Sequence, residues 1–146
     1  MKIVLKCVLA LFALWLGTCI ARADPQYIAD PDKYAADVMH LLGEKNVASA
    51  SKMISDTIGK PSYADNLQNA LNALSTKSID YSDKVVDHSF GKGLRQIVYY
   101  CFIDNIGFIY FRFNYKMSSH GWILANFIFK TETNDLFPKD FVEPQN

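Results

Sequence analysis

The chain has 146 residues, with 15 basic and 15 acidic side chains, so its formal charge is zero, and half of its residues are apolar. This balance, with no run of Lys or Arg, leaves no electrostatic footprint for nucleic acid or anionic lipid. A chain of this length forms one small domain and can bury roughly two thirds of its surface, so packing alone can hold it.

Lys2 and Lys6 precede an apolar run from Cys7 to Ile20, and Ala21-Arg22-Ala23 follows. Small residues at 21 and 23 are what a signal peptidase accommodates, so the pattern predicts a cleavable secretory leader over 1–23, cut between Ala23 and Asp24. The apolar run falls short of the ~20 residues that span a bilayer, and no later segment is a better anchor. A lipoprotein signal ending at Cys19 is the rival reading, but Thr18 stands where a small Gly, Ala or Ser belongs. Cleavage would remove Lys2, Lys6 and Arg22, leaving a mildly acidic protein that is periplasmic or secreted. Cys7 and Cys19 would leave too, so Cys101 would have no intramolecular disulfide partner.

Residues 24–137 are expected to be the domain and 138–146 a tail. Asp30-Pro31 reads as a helix start, an acidic N-cap followed by proline. Tyr34, Val38, Leu41 and Leu42 then recur at helical spacing until Gly43. A second helix is predicted from Lys45 to Ile58, with Val47, Ala50, Ile54 and Ile58 on one face. A third is predicted from Ser62 to Leu74, with Tyr63, Leu67, Leu71 and Leu74.

After Lys77 the period changes to two. Strands are predicted at 79–90, 94–104, 108–117 and 122–133, joined by Gly91-Lys92-Gly93, Asp104-Asn105-Ile106-Gly107 and Ser118-Ser119-His120-Gly121. These are hairpin-length gaps, so the strands form an antiparallel meander. Strict alternation sets Ile109, Phe111, Phe113 and Tyr115 toward the helices, with Ile123, Ala125, Phe127 and Phe129 beside them. It leaves Tyr110, Arg112, Asn114, Trp122, Leu124, Asn126 and Ile128 on the opposite face. That face is more apolar than a solvated one should be, and a second copy of the chain is the expected cover. A solvated face, or one covered by the chain's own tail, is the alternative.

The order of elements, together with Phe108–Tyr115 (FIYFRFNY), Gly121–Phe129 (GWILANFIF) and Leu136-Phe137-Pro138, resembles the cystatin-like α+β cone of the nuclear-transport-factor-2-like superfamily. The resemblance implies N-terminal helices packed on a curved four-stranded meander. It departs from many members in placing all three helices before the sheet. Members bind apolar ligands in the cone, catalyse isomerisation or dehydration there, or act as interaction modules, so the fold alone selects no function.

Catalysis of the isomerase or lyase kind needs a carboxylate base opposite a tyrosine donor. Asp87 and Asp104 are the candidate acids, with Tyr81, Tyr99, Tyr100 and Tyr110 as donors. Asp87-His88-Ser89 is no triad, because neighbours on a strand point to opposite faces. Cys101 lies among Tyr99, Tyr100 and Phe102 and reads as a buried thiol. His40, His88 and His120 lack metal-ligand spacing. Gln96-Ile97-Val98 is similar to the wedge of cystatin inhibitors but lies inside a strand. The reading is therefore an exported binding or interaction module without a cofactor, taking a small apolar ligand in the cone or an envelope protein on the outer face. Tyr99, Tyr110, Arg112 and Trp122 are the expected ligand contacts. A small cofactor-free isomerase, lyase or hydrolase is the alternative.

Overall fold

The computed structural model describes residues 26–131. The leader, its cleavage point at Ala23 and Asp24, and the tail from 138 lie outside the described residues.

Three helices come first. In α1 (Pro31–Gly43) the Asp30 carboxylate caps the start, accepting from the backbone N–H of Asp32 at 2.9 Å and of Lys33 at 3.3 Å. This satisfies two of the donors that a first turn leaves unpaired. Gly43 does not end the helix by turning left-handed. That conformation falls on Lys45, with φ 62°, between α1 and α2 (Val47–Ile58). Gly59, at φ 74°, closes α2, where only a residue without Cβ sits at ease. The predicted third helix is broken into α3 (Ala64–Leu71) with single 3₁₀ turns at 61–63 and 72–74. Pro61 starts the first of these turns, and Tyr63 ends it outside the core stripe, 38% exposed.

Four antiparallel strands follow in sequence order as an open meander: β1 (Ile79–Phe90), β2 (Leu94–Ile103), β3 (Gly107–Ser118) and β4 (Gly121–Lys130). The fold is α+β, with the helices before the sheet and packed on one of its faces. The shared core contains Tyr34, Val38 and Leu42 of α1, Val47, Ala50 and Ile54 of α2, and Leu67 and Leu71 of α3. Ile97, Cys101 and Ile103 of β2, Phe111, Phe113 and Tyr115 of β3, and Leu124 and Phe127 of β4 meet them. Each large apolar side chain so buried contributes roughly 1.5–3 kcal/mol.

One predicted face is corrected. In β4, Asn126 pairs with Asn114 but Leu124 pairs with Tyr115, leaving Ala125 as an extra residue on that strand. This β-bulge inverts the alternation upstream of it. Leu124 is buried and Trp122 packs on the core, whereas Ala125 is exposed and Ile123 half-buried. Trp122 is further tied to Ile28 by a two-way backbone bridge, N–H to O at 2.7 and 3.2 Å, which covers the first part of the β4 edge.

Candidate functional site

The helix-facing side of the sheet, where the resemblance would put a cavity, is filled. Phe113 packs against Phe127 with centroids 5.1 Å apart, Phe111 against Phe127 at 6.2 Å, and Tyr115 lies parallel to Phe113 at 6.4 Å. Phe111 and Phe113 are wholly inaccessible to water. Such a layer already has the close packing of a protein interior. Among the described residues, open grooves lie elsewhere. One of about 300 Å³ is lined by Tyr27, Ile28, Asp30, Tyr34 and Met53, and one of about 250 Å³ by Ile58, Lys60, Tyr63 and the β4 residues Ala125 to Phe127. None of Tyr99, Tyr110, Arg112 and Trp122 lines either.

The structure divides those four residues between the two sides of the sheet. Tyr99 points toward the helices and meets Phe113 edge-on at 6.4 Å, and Trp122 is on that side too because of the bulge. Tyr110 and Arg112 alternate with the buried Ile109, Phe111 and Phe113 of β3, so they stand on the outer face. The four therefore do not line one pocket.

The candidate acids are placed with equal clarity. Asp87 lies on the helix side, beyond the cover of α1, and its two oxygens are held by Arg95 through Nε–Oδ1 and Nη2–Oδ2 bonds of 2.8 Å each. Lys84 joins it at 3.3 Å and reaches Asp32 in the first turn of α1 at 2.7 Å. The Arg95 bonds hold the Asp87 carboxyl below the usual carboxylate range, the opposite of what a general base near neutral pH requires. Asp104 is exposed in the β2–β3 turn and accepts from the Asn105 side chain at 2.6 Å. Tyr81 and Asp83 do form an acid–tyrosine pair at 3.4 Å, but both are exposed. The neighbouring carboxylate pushes the Tyr81 hydroxyl up, away from ionisation.

Cys101 is fully buried, 3.5 Å from the Ser82 hydroxyl, and burial pushes its thiol up. His40 pairs with Glu44 on α1, and His120 packs on Tyr27 at the β3–β4 turn. His88 sits on the outer face against Phe90. Among the described residues no three His, Cys, Asp or Glu side chains converge to hold a metal ion, and no helix is long and apolar enough to cross a membrane.

The outer face carries the notable surface. The strand register arranges its side chains in rows that cross the sheet from β1 to β4. One row is Tyr81, Phe102 and Phe108. The next is Asp83, Tyr100, Tyr110 and Lys130, and then come Val86, Val98, Arg112 and Ile128. A polar row follows, His88, Gln96, Asn114 and Asn126, in which Gln96 donates to Asn114 at 3.0 Å. In the first two rows the rings touch one another. Tyr100 stacks on Phe108 at 5.0 Å, Phe102 lies 5.1 Å from Phe108, and Tyr110 and Tyr81 flank Tyr100 at 5.3 and 6.1 Å.

Cross-strand aromatic pairs stabilise a sheet, but here they also remain open to water: Tyr81 is 53% exposed, Phe108 47% and Phe102 37%. Sequence reasoning found Tyr110 and Arg112 of this surface and missed Phe102 and Phe108 as its centre. In β2 both alternating sets are apolar, so the pattern could not say which set faced out. Asp83 in β1 and Arg112 in β3, which pair across to the outward set of β2, were the signals that this face meets solvent.

Compared with known proteins, the chain matches no protein-family model and no curated sequence.

Proposed function

We propose that this protein is an exported binding module that works by protein–protein contact through the outer face of its sheet, without catalysis. The observation that carries this reading is the exposed aromatic double row on that face, set against a helix-facing side already packed with phenylalanine. Contiguous apolar surface of this kind on a small domain marks an interaction site, and aromatic side chains with an adjacent Arg are the residues that anchor interfaces. The filled interior argues against a small apolar ligand in a cone. The clamped Asp87 argues against an acid–tyrosine isomerase, lyase or hydrolase. Export rests on the leader pattern at 1–23 and on the Ala23-Asp24 cleavage point.

A photo-crosslinking amino acid at position 108 tests the surface, with the same group at Tyr63, on the α2–α3 connection, as control. In cells producing the full chain, a discrete protein adduct at 108 and none at 63 is the expected result. Absence of any adduct at 108 overturns the reading. The intact mass of the same purified protein tests export, which requires a chain beginning at Asp24.

A further inference from the structure

We propose that the partner seated on this face is a second copy of the chain, related by a two-fold axis that lies between the sheets and runs parallel to the strands. This rests on the reading of the outer face as a protein-binding surface. Such an axis superposes β1 on β4 of the other copy and β2 on β3, and it leaves every row facing itself. In the row that contains Tyr100, Asp83 stands at the β1 end and the exposed Lys130 at the β4 end. The axis therefore brings Asp83 of each copy over Lys130 of the other, and Tyr100 over Tyr110. In the adjoining rows Phe102 meets Phe108, Val86 meets Ile128, and Gln96 meets Asn114.

Aromatic, aliphatic, polar and opposite-charge groups are matched in these pairs, while Val98, buried within its own sheet, lies over Arg112 and the exposed Leu94 over Lys116. The other in-plane axis, across the strands, sets the polar row of Gln96 against the row of Tyr100 and offers Asp83 no cation in register. Aligned sheet packing tolerates an offset of about 30° between strand directions, so the row matching survives sheet twist.

The area agrees with this assignment. Four strands about 4.8 Å apart and roughly ten residues long, at about 3.3 Å per residue, present a projected face of about 600 Å². With side-chain relief this is on the scale of the ~800 Å² per partner that stable complexes bury.

Sedimentation equilibrium of the purified protein tests the inference, with charge exchange as its internal control. At about 10 μM the expected species has twice the chain mass. Asp83→Lys and Lys130→Asp should each weaken association at least tenfold, and the double exchange should restore most of it. Monomer at 100 μM, or a double variant no better than the weaker single one, overturns the inference.

Mixing Phe102→Cys with Phe108→Cys protein and adding a bis-maleimide that spans about 10 Å, the spacing of face-packed sheets, gives a reading that does not depend on the charge variants. A crosslink between the two variants in preference to either self-pair is expected, and none overturns the assignment. A monomer that still crosslinks at 108 to a different protein removes the second copy and keeps the binding surface. A monomer with no adduct at 108 removes both.

Discussion

Arg95 grips Asp87 with two parallel bonds, Nε to Oδ1 and Nη2 to Oδ2, both 2.8 Å, across the β1–β2 pair. The link continues through Lys84 to Asp32, so it ties the edge strand of the sheet to the first turn of α1. Bidentate guanidinium–carboxylate pairs are the strong kind, although these groups are partly solvated.

The depressed Asp87 pKa sets a pH dependence. A carboxyl whose pKa is lower folded than unfolded adds stability above its unfolded value of about 3.9, and that stability is lost as pH falls through the folded value. Urea melts between pH 7 and pH 2 should show this loss. Asp87→Asn should cost about 1 kcal/mol at pH 7, with the difference from wild type closing in acid. An equal difference at pH 7 and pH 2 would show that the carboxylate charge is not what matters.

The bulge at Ala125 makes a prediction opposite to that of strict alternation. Leu124→Ala should cost about 2–5 kcal/mol of unfolding free energy and Ile123→Ala under about 1 kcal/mol. Deleting Ala125 should cost less than Leu124→Ala, because without the extra residue Leu124 still pairs with Tyr115 and plain alternation keeps it and Trp122 on the helix side. Denaturant titration of the three variants reads the order directly.

Two buried tyrosines should behave differently. The Tyr34 hydroxyl donates to the Met53 carbonyl at 3.2 Å, so Tyr34→Phe should cost about 0.5–1.5 kcal/mol. The Tyr115 hydroxyl is buried without a hydrogen-bond partner among the described residues, and Tyr115→Phe should be neutral or stabilising. Burial pushes the Tyr34 hydroxyl up to about 12 and Tyr115 further in the same direction. In an ultraviolet alkaline titration neither should ionise before the protein unfolds.

Cys101 should resist alkylation in the native protein and react on unfolding, since its sulfur is inaccessible and its thiol form favoured. Peptide mass mapping after timed iodoacetamide treatment measures this. Native-state labelling of Cys101 at the rate of a free thiol would contradict the packing of β2 against the helices.

Helices followed by a meander were legible because their signals are local. Asp30-Pro31 caps a helix by its own side chain and ring, and Tyr34, Val38 and Leu42 repeat at the period of a helix. The Gly-Lys-Gly and Asn-Ile-Gly gaps turn a chain within a few residues. Facing was legible in β3, where Tyr110, Arg112 and Asn114 alternate with wholly apolar neighbours. It was not legible in β2, apolar on both sides, nor in β4, where Ala125 shifts the register without any mark in residue type. A bulge is decided by how two strands and the helix beneath them share space, and that balance exists only once they have met. The chain alone therefore specified its elements and their order. The assembled sheet decided that Trp122 and Leu124 go in, that Phe102 and Phe108 stay out, and that the face left open to water is the one away from the helices.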